Sequence, residues 1–179
     1  PPQGGMPSAM PSPSRPLLAL HTAVLLFGIA GLFGKWVTAD PIVIVFARTA
    51  VATLAFLLIL RVRREPVALP MGKDWAWLPL TGIVLALHWV AFFWAIQVST
   101  VAVALLAYAT APVFAALLEP LAFRERFSLG ALAAGAITLA GIALIVPRWS
   151  LADATAEGVA WGVLSGVTFA VLSLLNRAL

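Results

Sequence analysis

The 179-residue sequence contains no cysteine, one tyrosine and two histidines. Without cysteine there is neither a disulfide framework nor a thiolate metal site. His21 and His88 alone are too few for an imidazole metal cluster. Charge is scarce as well: Asp, Glu, Lys and Arg make up 10% of the chain, against about 25% in soluble domains. Hydrophobic residues make up 63%, and the mean hydropathy is +1.05. This composition excludes a water-soluble globule, a disordered chain and a nucleic-acid binder. The net charge of +4 rests on 11 Lys and Arg, too few and too segregated for a phosphate-binding surface. The expected surroundings are a lipid bilayer.

Chemical signatures are missing too. There is no H-E-x-x-H, P-loop or dinucleotide fingerprint, so neither a metal nor a cofactor is expected. Gly162 to Gly166 (GVLSG) resembles a serine-nucleophile turn only loosely, and no histidine is placed to serve it. Ser165 reads as helix packing. An enzyme is not expected; a membrane-embedded transferase would need clustered Asp, Glu or His at one interface, and the loops offer mostly Arg. No basic segment, short apolar core and small-residue cleavage site mark a signal peptide. The chain starts on Pro1 without an initiator Met, which suggests truncation or processing.

What is present is apolar length. A membrane-spanning helix needs roughly 20 apolar residues to cross about 30 Å of hydrocarbon. Residues 1–16 are rich in Pro, Gly and Ser and read as a disordered tail. Six helices follow, at about 17–38, 42–60, 75–98, 101–123, 127–146 and 159–179. Asp40-Pro41 separates the first two, because Pro suits a helix start. RVRREPVALPMGKD (61–74) is the one long polar loop. From Trp75 to Leu118, 44 residues carry no charge, and Gln97-Ser99-Thr100 divides this run. Pro147 closes the fifth helix. The runs lack the alternation of a barrel strand. The fold class is all-α, a polytopic transmembrane helix bundle.

Basic residues near helix ends set orientation. With the N-terminus cytoplasmic, Arg15, Arg61, Arg63, Arg64, Lys73, Arg124, Arg126 and Arg177 face inward, while Lys35 and Arg148 face outward. Trp75 and Trp77 mark the inner boundary; Trp36, Trp94, Trp149 and Trp161 lie towards the outer one. Only Trp89 is left at depth.

Polar groups within a membrane helix need a reason. Arg48 lies seven residues after Pro41, roughly 10 Å below the outer surface. It serves either as a binding group or as a side chain snorkelling outward. His88 and Tyr108 lie roughly 15 Å and 12 Å down on two other helices. Arg48, His88 and Tyr108 thus share one band near the midplane, with Trp89 as an aromatic wall. Pro112 interrupts the fourth helix (YATAPVFAALL), which predicts a kink and a freed Tyr108 carbonyl. Interrupted helices at mid-depth point to a transporter site, although packing alone can also require the kink. Arg48, His88, Trp89, Tyr108 and Pro112 are the candidate substrate-binding residues. Gly28, Gly31 and Gly34 read as packing positions, Lys35 as an interface anchor, and Glu119 as a buried acid near the inner end of the fourth helix.

The sixth helix (AWGVLSGVTFAVLSLLNRAL) echoes the first (HTAVLLFGIAGLFGKWV), and both close on a basic residue. Five helices separate their starts, so the second copy enters from the opposite side, the geometry of an inverted repeat. Between them, residues 95–147 resemble the EamA-type drug/metabolite transporter superfamily. The resemblance rests on a Ser/Thr-Val-Ala helix start, mid-helix Pro112, Glu125-Arg126, and a helix through Gly130, Gly135 and Gly141, with Arg48 early in the second helix. It covers about 17–179.

The resemblance implies two inverted five-helix halves that together move amino acids or other metabolites. On that reading 17–147 is the first repeat and 148–179 the start of a second, so a fragment is expected. The expected function is a secondary transporter of the bacterial inner membrane, moving a small-molecule substrate, as efflux, by alternating access. A half-size transporter completing its cavity as a homodimer is the alternative.

Overall fold

The computed structural model describes residues 14–67, 73–145 and 153–178. Of the tail expected to be disordered over residues 1–16, residues 14–16 are instead the first of a helix, Ser14–Trp36, while residues 1–13, the helix stop at Pro147, and the placements of Arg148 and Trp149 lie outside the described residues.

In lipid each backbone N–H and C=O must be satisfied within its own segment, and continuous apolar runs meet that demand as helices. The helices are α1 (Ser14–Trp36), α2 (Pro41–Arg63), α3 (Trp77–Val98), α4 (Val101–Tyr108), α5 (Ala111–Phe123), α6 (Leu129–Ile145) and α7 (Ala154–Ala178), with a 3₁₀ turn at Lys73–Ala76. The protein is a polytopic helical bundle. Five spans are long and apolar enough to cross a membrane when Val101–Phe123 is taken as one. The described part of α6 has 17 residues, about 25 Å of helix.

Polar residues punctuate the chain at its helix starts. Asp40 accepts at Oδ1 from the Ile42 N–H at 2.7 Å, and Pro41 opens α2. Thr100 Oγ1 accepts from the Val103 N–H at 3.1 Å to start α4. Asp153 accepts from the N–H groups of Thr155 and Ala156 ahead of α7. At the opposite face α2 and α5 end on Arg64 and Arg124, each left-handed with φ 56°. Most lipid-depth hydroxyls bond back to their own helix, as Thr49 does to the Val45 carbonyl at 2.7 Å and Thr138 to that of Ala134 at 2.9 Å.

Two boundaries differ from the sequence reading. The expected fourth helix is interrupted at Ala109-Thr110, because Pro112 has no N–H to return to the Tyr108 carbonyl. The last helix starts at Ala154 rather than near Val159, since Asp153 caps it five residues earlier.

The core lies between α3 and α7. The buried side chains of α3 are His88, Ala91, Phe92, Phe93, Ala95 and Ile96. α7 crosses α3, α4 and α5 on a small-residue face. A Cβ on Gly162 would stand 2.5 Å from the Ala107 Cβ, and one on Gly166 2.6 Å from Thr110 Oγ1. These glycines let the backbones approach closely. By contrast, α1 and α2 are apolar all round and mostly exposed, touching the body chiefly through α3. Gly34 is where α1 comes closest, against the ring of Phe93, while Gly28 faces open space.

Candidate functional site

α2 meets α3 near the N-terminus of α2, where Val45 packs into the cluster of Phe92, Phe93 and Ile96. Below that contact a cleft of about 560 Å³ separates the two helices. Its walls are apolar, with Ala52, Phe56 and Leu57 on one side and Gly82, Leu85 and Ala86 on the other. Arg48 and Trp89 line its upper part.

The Arg48 guanidinium lies 3.8 Å from the centroid of the Trp89 ring and 5.5 Å from that of Phe93. It packs across α3 rather than standing alone in lipid. Its Nη1 is buried and, among the described residues, has no hydrogen-bond partner. Face-on aromatic contact with a desolvated cation is worth about 2 kcal/mol. Placing a charge at mid-helix costs about 2.5–3.5 kcal/mol, and an unpaired buried donor adds about 1–3 kcal/mol. The aromatic contacts therefore leave part of the cost of Arg48 uncompensated. Thr49 also lines the cleft, but its hydroxyl is committed to the Val45 carbonyl.

Behind Trp89 stands an aromatic cluster. The His88 ring is 5.2 Å from Trp89, 5.5 Å from Tyr108, 5.1 Å from Phe169 and 6.4 Å from Phe92. Tyr108 packs edge-on against Phe92 and Phe169. His88 is buried, and its Nδ1 lies 2.9 Å from both the carbonyl oxygen and the hydroxyl of Ser165 on α7. Arg48, Trp89, His88 and Tyr108 thus form a continuous chain of contacts, of which the first two line the cleft.

Pro112 is elsewhere. It is the second residue of α5, exposed and away from the cleft. The Tyr108 carbonyl, which the proline leaves without a helical donor, faces Gly166 on α7, 3.3 Å from where a Cβ there would lie. Among the described residues no group of three or more His, Asp or Glu side chains is placed to hold a metal.

Three further groups acquire partners the sequence does not announce. Lys35 Nζ donates to the carbonyls of Ile96, Gln97 and Ser99 at 3.0, 3.2 and 2.6 Å, capping the C-terminus of α3 from the end of α1. Gln97 Nε2 donates to the Ala39 carbonyl at 2.8 Å, holding the α1–α2 turn against the same end. At the other face Arg177 pairs with Glu125 at 2.5 Å and Glu119 at 3.7 Å and lies over the Phe123 ring. Glu119 is partly exposed rather than buried. Phe169 and Ser165 join the site from α7 although neither is polar or charged enough to stand out in a membrane helix. Their four-residue spacing, which places both on one helix face, is the signal that links them.

The model of the EamA-like transporter family matches residues 14–146. A Helicobacter pylori protein named as an uncharacterized transporter is 32% identical over 162 residues, covering 88% of this chain and 53% of the relative. A Bacillus subtilis protein, also named as an uncharacterized transporter, is 25% identical over 173 residues, covering 93% of this chain and 55% of the relative. The chain spans about half the length of these curated relatives. No solved structure matches significantly. A bundle of apolar helices around an α3–α7 core, joined to this family match over three quarters of its length, places the chain in the EamA-like transporter family of multi-pass membrane proteins.

Proposed function

We propose that the full-length protein is a secondary transporter that binds a small organic metabolite midway through the bilayer, beside Arg48 and Trp89. The observation that carries this reading is the buried, unpartnered Nη1 of Arg48 at the upper end of the α2–α3 cleft. A carboxylate or similar anion would satisfy that donor and neutralise the charge, and Trp89 would pack on the apolar part of the substrate. His88 and Tyr108 would supply hydrogen bonds from behind the tryptophan. The Pro112 break would let α4 and α5 shift independently as the site changes its exposure by alternating access. In this reading α7 opens a second, inverted repeat, and the N-terminus is cytoplasmic in the inner membrane of a bacterium, with efflux as the direction of flux.

The test is transport by the full-length protein in proteoliposomes, screened with a panel of radiolabelled amino acids and other carboxylates. Arg48→Lys keeps the charge but loses the planar fork, and should raise KM for an accepted carboxylate about tenfold or more, as loss of a charge-assisted hydrogen bond implies. Uptake that is equal in Arg48→Met and the parent protein would end the site reading while leaving the family assignment intact. Orientation has its own check: reporter fusions after Leu69 and after Ala152 should report opposite compartments.

A further inference from the structure

His88 Nδ1 stands at 2.9 Å from two atoms of one residue on a different helix, the carbonyl oxygen and the hydroxyl of Ser165. These atoms differ in what they can do: the carbonyl only accepts, whereas the hydroxyl can also donate. A carbonyl can only accept, so it pairs with Nδ1 when that nitrogen carries the proton. A hydroxyl can donate, so it pairs with Nδ1 when that nitrogen carries the lone pair. In a neutral imidazole Nε2 always has the complementary character. Among the described residues no hydrogen bond reaches Nε2.

The placement of Ser165 is tightly set. Ser165 is fully buried, and Gly162 and Gly166 on either side bring α7 so close to α4 and α5 that a Cβ on either would overlap Ala107 or Thr110. Thr168 Oγ1 also approaches the Ser165 carbonyl at 3.0 Å, but it has the Leu164 carbonyl at 2.9 Å as its other acceptor. The Ser165 carbonyl is therefore not reserved for Thr168.

We propose that Ser165 is a positioning residue that supports His88 in both tautomers, so that Nε2 can offer a ligand either a donor or an acceptor without leaving Nδ1 unpaired. In one tautomer Nδ1–H donates to the Ser165 carbonyl, with the hydroxyl oxygen as a second acceptor at the same distance. In the other the proton resides on Nε2, and Ser165 Oγ–H donates to Nδ1. The imidazole holds one proton in both. Its consequence for cargo is breadth: a site with this pair accepts either an N–H or a carbonyl-type oxygen at the same point. That consequence rests on reading His88 as part of the transport site; the tautomer assignment does not.

The experiment is nitrogen NMR of the full-length protein in lipid nanodiscs, labelled with ¹⁵N-histidine, with the His88 signals identified by their loss in His88→Gln. Ring-nitrogen shifts distinguish the tautomers directly. The parent protein should show both. Ser165→Ala keeps the carbonyl but removes the donor, and should lower the ratio of Nε2–H to Nδ1–H about fivefold, the weight of one ordinary hydrogen bond. Ser165→Thr restores the hydroxyl and should restore the ratio. An unchanged ratio in Ser165→Ala overturns the proposal. A single tautomer in the parent protein overturns it as well, which keeps the test decisive even when Ser165→Ala does not fold. Unchanged transport in His88→Gln would instead remove the site reading, which the NMR result does not depend on.

Discussion

Adding one methyl group at Gly162 should separate α7 from α4. In Gly162→Ala the new Cβ would lie 2.5 Å from the Ala107 Cβ and 3.2 Å from the Ala104 carbonyl oxygen. Carbon atoms pack at about 3.5–4.0 Å, so the helices must part by roughly 1 Å. Neither neighbour can swing aside, because both are fixed to the α4 backbone and Ala107 is fully buried. Overpacking of this kind costs about 1–3 kcal/mol, while exchanging Gly for Ala in a helix returns about 0.8–1.0 kcal/mol of propensity. The net loss should therefore be about 1 kcal/mol and at most about 2 kcal/mol. Gly141→Ala is the matched control: it lies in α6 with no atom within 4 Å of a Cβ, so only the propensity gain applies. The assay is equilibrium unfolding of both variants in mixed micelles, followed by helical circular dichroism. Ala107→Gly added to Gly162→Ala should recover part of the loss, because it removes the opposing methyl. Equal midpoints for Gly162→Ala and Gly141→Ala would refute the claim that backbone proximity sets the α7 register.

Other outcomes follow from the same contacts. Lys35→Met removes the donor that caps three carbonyls at the end of α3 and should cost about 1 kcal/mol, since the ammonium is partly solvated; faster amide exchange at Ser99 would report it. Glu125→Gln should loosen the C-terminal end of α7 more than Glu119→Gln, because Arg177 is 2.5 Å from the former and 3.7 Å from the latter; spin-label distances between α5 and α7 measure this. Pro112→Ala returns an N–H to the Tyr108 carbonyl and should join α4 to α5, seen as slowed exchange across residues 109–112 with helical content raised. Gly34→Val should weaken the docking of α1, because its Cβ would meet the rigid ring of Phe93 at 2.5 Å; an α1–α3 disulfide pair engineered at their outer ends should form more slowly.

The placement of most helices is legible in the sequence because the membrane imposes a one-dimensional rule. Where no water can reach the backbone, an uncharged run long enough to cross must be helical, and Asp40-Pro41 and Thr100 mark starts by side-chain geometry that operates over two or three residues, whereas the cap at Asp153 goes unread. Counting residues along helices of fixed rise suggests one level for Arg48, His88 and Tyr108, and the structure joins the three through contacts of Trp89 and His88. Pro112 likewise announces an interruption, since a missing N–H is a property of the residue itself. The two ends that read alike, Lys35 and Arg177, diverge in their contacts: one caps carbonyls and the other pairs with carboxylates.

Local chemistry determined that this chain is a bundle of helices apolar enough to cross a membrane and where most of those helices lie. Azimuth was decided only in three dimensions. Rotation about a helix axis is unconstrained when every face is apolar, so packing alone turned Arg48 onto Trp89, brought Ser165 to His88 and left Pro112 out of the cleft lining.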